Sequence, residues 1–373
     1  MKNRVLFSLG VSLLLGALSA QAGLTMTPLS SFGGGDGWLA PGEGGYTFLG
    51  TANNERGLAY GNGHLYLVSR NGGNFIRILD PTTGADLGVL NNSGISGGTF
   101  AVNMVAVGGD GTIYVADLTT QSTTTPYKVY SWASEIAAPT VAYSGNAGLA
   151  GSRVGDTLAV IGSGSSTLLA AGYNSTPVVA GNNGYAIVNP IASTATAVGF
   201  TGTPPNAGDF RLGLTFTDSS HVIGTAGSSL YRYTSFSGTS GTLLGSPAIP
   251  DPAGATADRL MAYTVLDGHP LLAVQSIGDS HVSIYDMTDP NNPLWLASGN
   301  NTSGTLTANG NGTGEEAWGP ITDNGDGTFS ETLYAMSSNQ GIQAFIVTIP
   351  EPGSFALTAL GVGFLAFWRR LRK

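Results

Sequence analysis

Cysteine is absent from the 373-residue chain. That excludes disulfides, thiolate metal sites and a cysteine nucleophile. Charge is scarce too: Asp, Glu, Lys and Arg make up 10% of residues, with 23 acidic against 14 basic. Six of the basic residues, Lys2, Arg4, Arg369, Arg370, Arg372 and Lys373, sit at the two ends. The body between them is therefore strongly acidic, a surface that repels nucleic acid and anionic lipid. From Gly23 to Ile349 no stretch carries a sustained apolar stripe of period 3.6, so no amphipathic helix is expected there.

Familiar catalytic and metal patterns are missing as well. His64, His221, His269 and His281 show no H-E-x-x-H or i, i+4 spacing. Gly162-Ser-Gly-Ser-Ser reads as a flexible turn, not a nucleophile elbow, and Ser31-Phe-Gly-Gly-Gly-Asp-Gly lacks the Lys-Ser/Thr of a phosphate loop. In Asp323-Asn-Gly-Asp-Gly-Thr-Phe-Ser-Glu331, Gly325 and Gly327 occupy positions where a calcium loop needs oxygen side chains. No catalytic residue, metal ligand or cofactor is expected.

What the body has instead is turn chemistry. Glycine, at 57 residues, is about twice the usual ~7%, and short alternating apolar runs bounded by Gly, Asn and Asp recur throughout. The body reads as all-β. The runs also repeat. Arg56-Gly-Leu-Ala-Tyr, His64-Leu-Tyr-Leu-Val and Phe75-Ile-Arg-Ile-Leu, followed by Asp80-Pro-Thr-Thr-Gly-Ala-Asp-Leu-Gly, form a four-strand meander. A second copy runs through Met104-Val-Ala-Val, Thr112-Ile-Tyr-Val-Ala-Asp, Tyr127-Lys-Val-Tyr-Ser-Trp and Thr140-Val-Ala-Tyr. Further copies start near Asp156, Arg211, Arg259 and Glu316. Such a unit cannot bury both faces alone, so six of them over 51–349 predict a six-bladed β-propeller. Tyr46-Thr-Phe-Leu-Gly, within a lead segment 23–50, is expected to supply a strand that closes the ring. A pair of β-sandwiches or a β-solenoid remains an alternative, because Asp156 to Phe200 fits the repeat poorly.

Two segments resemble secreted bacterial propellers. Asp110-Gly-Thr-Ile-Tyr-Val-Ala-Asp117 is similar to an inner hairpin of such proteins, and Val282-Ser-Ile-Tyr-Asp-Met-Thr-Asp-Pro-Asn-Asn-Pro-Leu-Trp-Leu296 resembles the LVIVD repeat. Asp-Gly and Asp-Pro also close hairpins with no functional role.

Of the eight basic residues left in the body, Arg56, Arg153, Arg211 and Arg259 all stand at the start of a unit's first strand. Acids lie beside three of them, at Glu55, Asp209 and Asp258, and Glu315-Glu316 takes the same place in the last unit. If these are the innermost strands, Arg56, Arg153, Arg211, Arg259, Glu55, Asp258 and Glu316 form a charged ring at one mouth of the central channel. Such a ring either ties neighbouring blades through Arg–carboxylate forks or binds an anionic sugar or a peptide carboxylate.

The ends carry addresses. Lys2 and Arg4, the apolar stretch Val5–Leu18 and Ala20-Gln21-Ala22 make a signal peptide over 1–22. At the other end stand Pro350-Glu351-Pro352, an uncharged run Phe355–Trp368 and a basic tip. At ~1.5 Å per residue that run gives a helix of about 21 Å, short for a ~30 Å hydrocarbon core and suited to temporary anchoring. The segment 350–373 resembles the PEP-CTERM sorting signal of Gram-negative bacteria that make extracellular polysaccharide. The resemblance implies processing by exosortase, a membrane-embedded transpeptidase, and delivery to the cell surface or the extracellular matrix. Asn174-Ser-Thr and Asn311-Gly-Thr match the glycosylation acceptor pattern. The resulting expectation is an exported, non-catalytic propeller that binds a matrix component, extracellular polysaccharide among the candidates. The alternatives are a secreted propeller enzyme acting on glycans or lactones, and a purely structural matrix protein.

Overall fold

Leu65, Tyr66, Leu67 and Val68 are all fully buried, although successive side chains of a strand point to opposite faces. A strand with this pattern must be covered on both sides. Leu65 and Leu67 pack with Tyr334, Met336 and Ile342, while Tyr66 and Val68 pack with Val105, Ile113 and Trp132. Each sheet is thus sandwiched between two others, the arrangement of a β-propeller.

A computed structural model of the protein describes residues 23–174, 182–225, 230–249 and 258–350. Two short strands, β1 (Thr25–Pro28) and β2 (Trp38–Leu39), come first. Blade one is β3 (Glu55–Gly61), β4 (His64–Ser69), β5 (Phe75–Leu79) and β6 (Asp86–Val89). Blade two is β7 (Phe100–Val107), β8 (Ile113–Leu118), β9 (Tyr127–Trp132) and β10 (Thr140–Gly145). Blade three is β11 (Ala159–Ile161), β12 (Leu168–Gly172), β13 (Tyr185–Asn189) and β14 (Thr194–Val198). Blade four is β15 (Gly213–Asp218), β16 (His221–Thr225), β17 (Arg232–Ser237) and β18 (Ser240–Gly245). Blade five is β19 (Asp258–Leu266), β20 (His269–Ser276), β21 (Val282–Asp286) and β22 (Leu294–Gly299). Blade six is β23 (Gly314–Asp323), β24 (Thr328–Ser337) and β25 (Gly341–Pro350), completed by β1.

Every blade is an antiparallel meander, and the first strands β3, β7, β11, β15, β19 and β23 pack successively around the axis, β23 meeting β3 to close the ring. Six apolar clusters fill the six interfaces between adjacent blades. The core is therefore a ring of wedges, and the second strand of each blade feeds two of them. The protein is a six-bladed β-propeller, and the poorly repeating stretch from Asp156 onward is a full blade of short strands.

The closing strand differs from the sequence expectation. It is β1, paired antiparallel with β25 from Thr25↔Thr348 to Pro28↔Phe345, and not the stretch at Tyr46. Positive φ at Gly42, Gly44 and Gly45 turns the chain just before Tyr46. Its alternation then serves packing: Tyr46 and Phe48 stack at 4.9 Å, and Phe48 and Leu49 plug the interface between blades six and one. Trp38 of β2 adds a bond from its indole Nε1 to the Gln340 carbonyl at 2.8 Å.

No helix among the described residues is long and apolar enough to cross a membrane. The expected signal peptide 1–22, Glu351, Pro352 and the apolar run that follows lie outside the described residues, whereas Pro350 ends β25 opposite Thr328.

Candidate functional site

Three innermost strands, β3, β7 and β19, begin with an irregularity, and in β3 and β19 it falls on an arginine. In β3 the pairing jumps from Glu55↔Ser69 to Leu58↔Leu67, so Arg56 and Gly57 face one partner residue; in β19 it jumps from Asp258↔Ser276 to Leu260↔Gln275, leaving Arg259 extra. Such bulges interrupt the ladder and re-aim the bulged side chain. Here they send Arg56 and Arg259 into the mouth of the propeller. Arg153 and Arg211 reach the same place from the connections that lead into β11 and β15.

A cavity of about 250 Å³ lies there, walled by Arg56, Phe100, Arg153, Asp156, Arg211 and Thr313 among others. These residues stand in or just before the first strands of five different blades, which puts the cavity on the axis. A second cavity of about 400 Å³ adjoins it, walled by Asn174, Arg211, Arg259 and Asn311. Arg211 and Asn311 stand in both walls.

Asp156 is the carboxylate of this site, 5% exposed. It accepts two bonds from Arg153, Nε and Nη2, and one from Arg211 Nε, all at 2.8 Å. Burial works to raise its pKa, but the bonds and charges of Arg153 and Arg211 outweigh burial and hold the group below the ordinary carboxylate range. Arg56 donates through Nη1 to the Thr313 hydroxyl. Its Nε, like that of Arg259, is buried without a hydrogen-bond partner among the described residues. Burial lowers the pKa of both guanidiniums, and Arg211 adds like-charge repulsion at each. Both remain cations, because Arg starts from far above neutral pH. Among the described residues four guanidiniums and one carboxylate thus wall the two adjoining cavities, an electropositive focus in an acidic protein.

The acids beside the arginines in sequence are not their partners. Glu55, 1% exposed, accepts the Gly50 amide at 2.9 Å, and burial raises its pKa. Asp209 bonds Arg232 at 2.7 Å. Glu316, 4% exposed, has its pKa pushed well above the ordinary range by burial, then by the charges of Glu315 and Asp258. Glu55, Asp258 and Glu316 wall neither cavity, so the mouth is a site of arginines and not a ring of mixed charge.

Sequence reading missed Asp156 as the anchor, and it missed Arg70. Arg70 lies over the Phe100 ring at 3.5 Å and bonds the Asn103 side chain and the Asn53 carbonyl, both at 3.0 Å. It backs the first cavity from behind Phe100, with its pKa lowered to about 10 by burial and by Arg56. The Asp-rich turns carry no site: Asp110, Asp323 and Asp326 cap amides of their own turns, and Glu331 sits on β24 against the Thr264 hydroxyl. Among the described residues no group of His, Asp and Glu is placed to hold a metal ion. His64, His221 and His281 each pair with a carboxylate, Glu135, Asp218 and Asp279, away from the mouth.

Residues 56–250, beginning at Arg56 itself, match a domain of unknown function, DUF4623. The chain belongs to the DUF4623 family. A crystal structure of a DUF4623 family protein from Bacteroides eggerthii DSM 20697 is similar over 80% of this chain and 71% of its own, with a TM-score of 0.60 at 16% identity. That likeness is one of fold. The major allergen Mala s 1 of Malassezia sympodialis aligns over 80% of this chain and 92% of its own, with a TM-score of 0.49 at 13% identity. The periplasmic gluconolactonase PpgL of Pseudomonas aeruginosa aligns over 79% and 85%, with a TM-score of 0.43 at 15% identity. A comparison with curated proteins found no match. The DUF4623 match covers the starts of blades one to four, and with them Arg56, Arg153, Asp156 and Arg211.

Proposed function

We propose that this DUF4623 protein is an exported, non-catalytic binding propeller whose axial mouth takes an anionic ligand, a sugar acid or another carboxylate. The observation that carries this reading is the convergence of Arg56, Arg153, Arg211 and Arg259 on two adjoining cavities where, among the described residues, Asp156 of the first is the one walling carboxylate. Arg259 and Arg56 keep donors free for a ligand oxygen, and a charge-assisted bond to a buried guanidinium is among the stronger polar contacts available to a binding site. Against an enzyme stands the chemistry of the walls. Asp156 is locked in its ionised form by two arginines, and among the described residues no histidine or second carboxylate walls its cavity to serve as an acid–base pair. Export and attachment rest on the two ends of the sequence. The leader 1–22 directs secretion, and Pro350-Glu351-Pro352 with its short apolar run marks the chain for exosortase, transient residence in the inner membrane and release to the surface or matrix.

The test is calorimetric titration of the full chain with galacturonate, glucuronate and neutral glucose. The acids are expected to bind, more weakly as salt is raised, and glucose is not. Arg56→Ala should weaken the acids about tenfold or more, in line with the loss of one charge-assisted bond. Equal binding of glucose, or acids indifferent to Arg56, would overturn the reading.

A further inference from the structure

The two cavities differ in how their charge is met. In the first, Arg153 and part of Arg211 are already engaged by Asp156. The second holds Arg259, with no carboxylate in its wall among the described residues. Arg259 is pressed against Gly312, where an added Cβ would sit 1.9 Å from its Nη1, so the backbone leaves room there for the guanidinium and nothing larger. A single carboxylate seated in the first lobe leaves Arg259 in the second without one. Arg211 and Asn311, common to both walls, form the bridge between the lobes.

The bridge and its flanks are polar. Thr99, Thr120 and Thr313 line the first lobe, Asn174 the second and Asn311 both. An alkyl spacer between two anionic groups would strip water from this polar wall and offer it no bond in exchange, whereas sugar hydroxyls can both donate to it and accept from it. Lobes of about 250 and 400 Å³ together fall in the range of a small-molecule site.

Resting on the reading of the mouth as an anion site, we infer that its ligand is an oligosaccharide carrying acidic groups on at least two units, one held by Arg56 and Arg153 and another by Arg259, with Arg211 and Asn311 at the linkage between them. Asn174 and Asn311 then act as ligand contacts within the second lobe, although both belong to glycosylation acceptor patterns.

Titration of the full chain with galacturonic acid, its dimer and trimer, and an aliphatic dicarboxylate tests this. The dimer or trimer is expected to bind about tenfold or more tighter than the monomer, because the second contact becomes intramolecular. Arg259→Gln should erase that gain. Asn311→Asp, a change at an exposed loop position that leaves the blades untouched, should erase it as well by setting a negative charge between the lobes. Equal affinity for monomer and oligomers, or an unchanged gain in both variants, would overturn the two-lobed ligand and leave a simple anion site. A dicarboxylate binding as tightly as the dimer would overturn its saccharide character. No binding of any acid, short or long, would instead remove the anion site on which the inference rests.

Discussion

Asp156 shows how little of a charge network can be read from neighbours in sequence. Its partners are Arg153, three residues before, and Arg211, 55 residues later. Adjacent residues of extended chain point to opposite sides, so Glu55 and Arg56, or Asp258 and Arg259, part company at once. The arginines were legible because each starts a repeat. Their counter-ion was not, because blade adjacency chooses it. Two further residues give measurable consequences. A Cβ added at Gly213 would lie 1.8 Å from the Arg259 carbonyl oxygen, where blade four meets blade five. Gly213→Ala should therefore cost about 1–3 kcal/mol of stability, read by denaturant unfolding, and should weaken acid binding by moving Arg259. Glu331 is 4% exposed, and burial raises its pKa from 4.5 to about 8 against the opposing bond from Thr264. A carboxyl raised in this way contributes fully below its unfolded pKa and loses that contribution as pH rises through about 8. Glu331→Gln keeps an acceptor for Thr264 and has no charge to bury. Its melting temperature should exceed that of the wild type at pH 9 and match it more closely near pH 4; equal offsets at both would contradict the titration.

At the scale of elements, turn residues and period-2 runs announced the meanders. The second strands were less clear. Leu169-Ala-Ala and Leu333-Tyr-Ala-Met are apolar without interruption, because each alternate set serves a different interface. Bulges at Arg56 and Arg259 leave no mark in the sequence beyond Gly57, whose place is fixed by close approach to Met104 and Val105 of the next blade. The misread closing strand has the same origin: Tyr46 and Phe48 alternate as a strand would, yet stack as a plug, while the short polar run Thr25-Met-Thr-Pro28 does the pairing. The last element of blade six, β25, runs directly into the expected sorting motif at Pro350. The proposed sorting makes Glu351, between two prolines that restrict the chain, the residue that the processing enzyme reads. Glu351→Ala is expected to leave export by the leader 1–22 intact and to retain full-length protein in the inner membrane of a host with exosortase. Membrane fractionation with mass spectrometry of the C-terminus reads this, and wild-type protein that keeps Trp368 and the terminal arginines would contradict it.

At the scale of the molecule, closure explains why the arginines gather at the mouth. Six wedges of apolar side chains hold the blades, and β1 locks residues 25–28 to 345–348, so the first strands are fixed around one axis. A rigid ring lets residues from five blades meet in one cavity with little reorganisation on binding. The acidic exterior disfavours anions everywhere except where four of the body's eight basic residues gather, and the field there is focused by burial. The measurement that bears most directly on this is a crystal structure of the protein with galacturonate bound. Its carboxylate is expected on the axis, at about 2.7–2.9 Å from guanidinium nitrogens of Arg56 or Arg153, with Asp156 still held by Arg153 and Arg211. An acid seated on the outer faces of the blades, with the mouth filled by water alone, would contradict it.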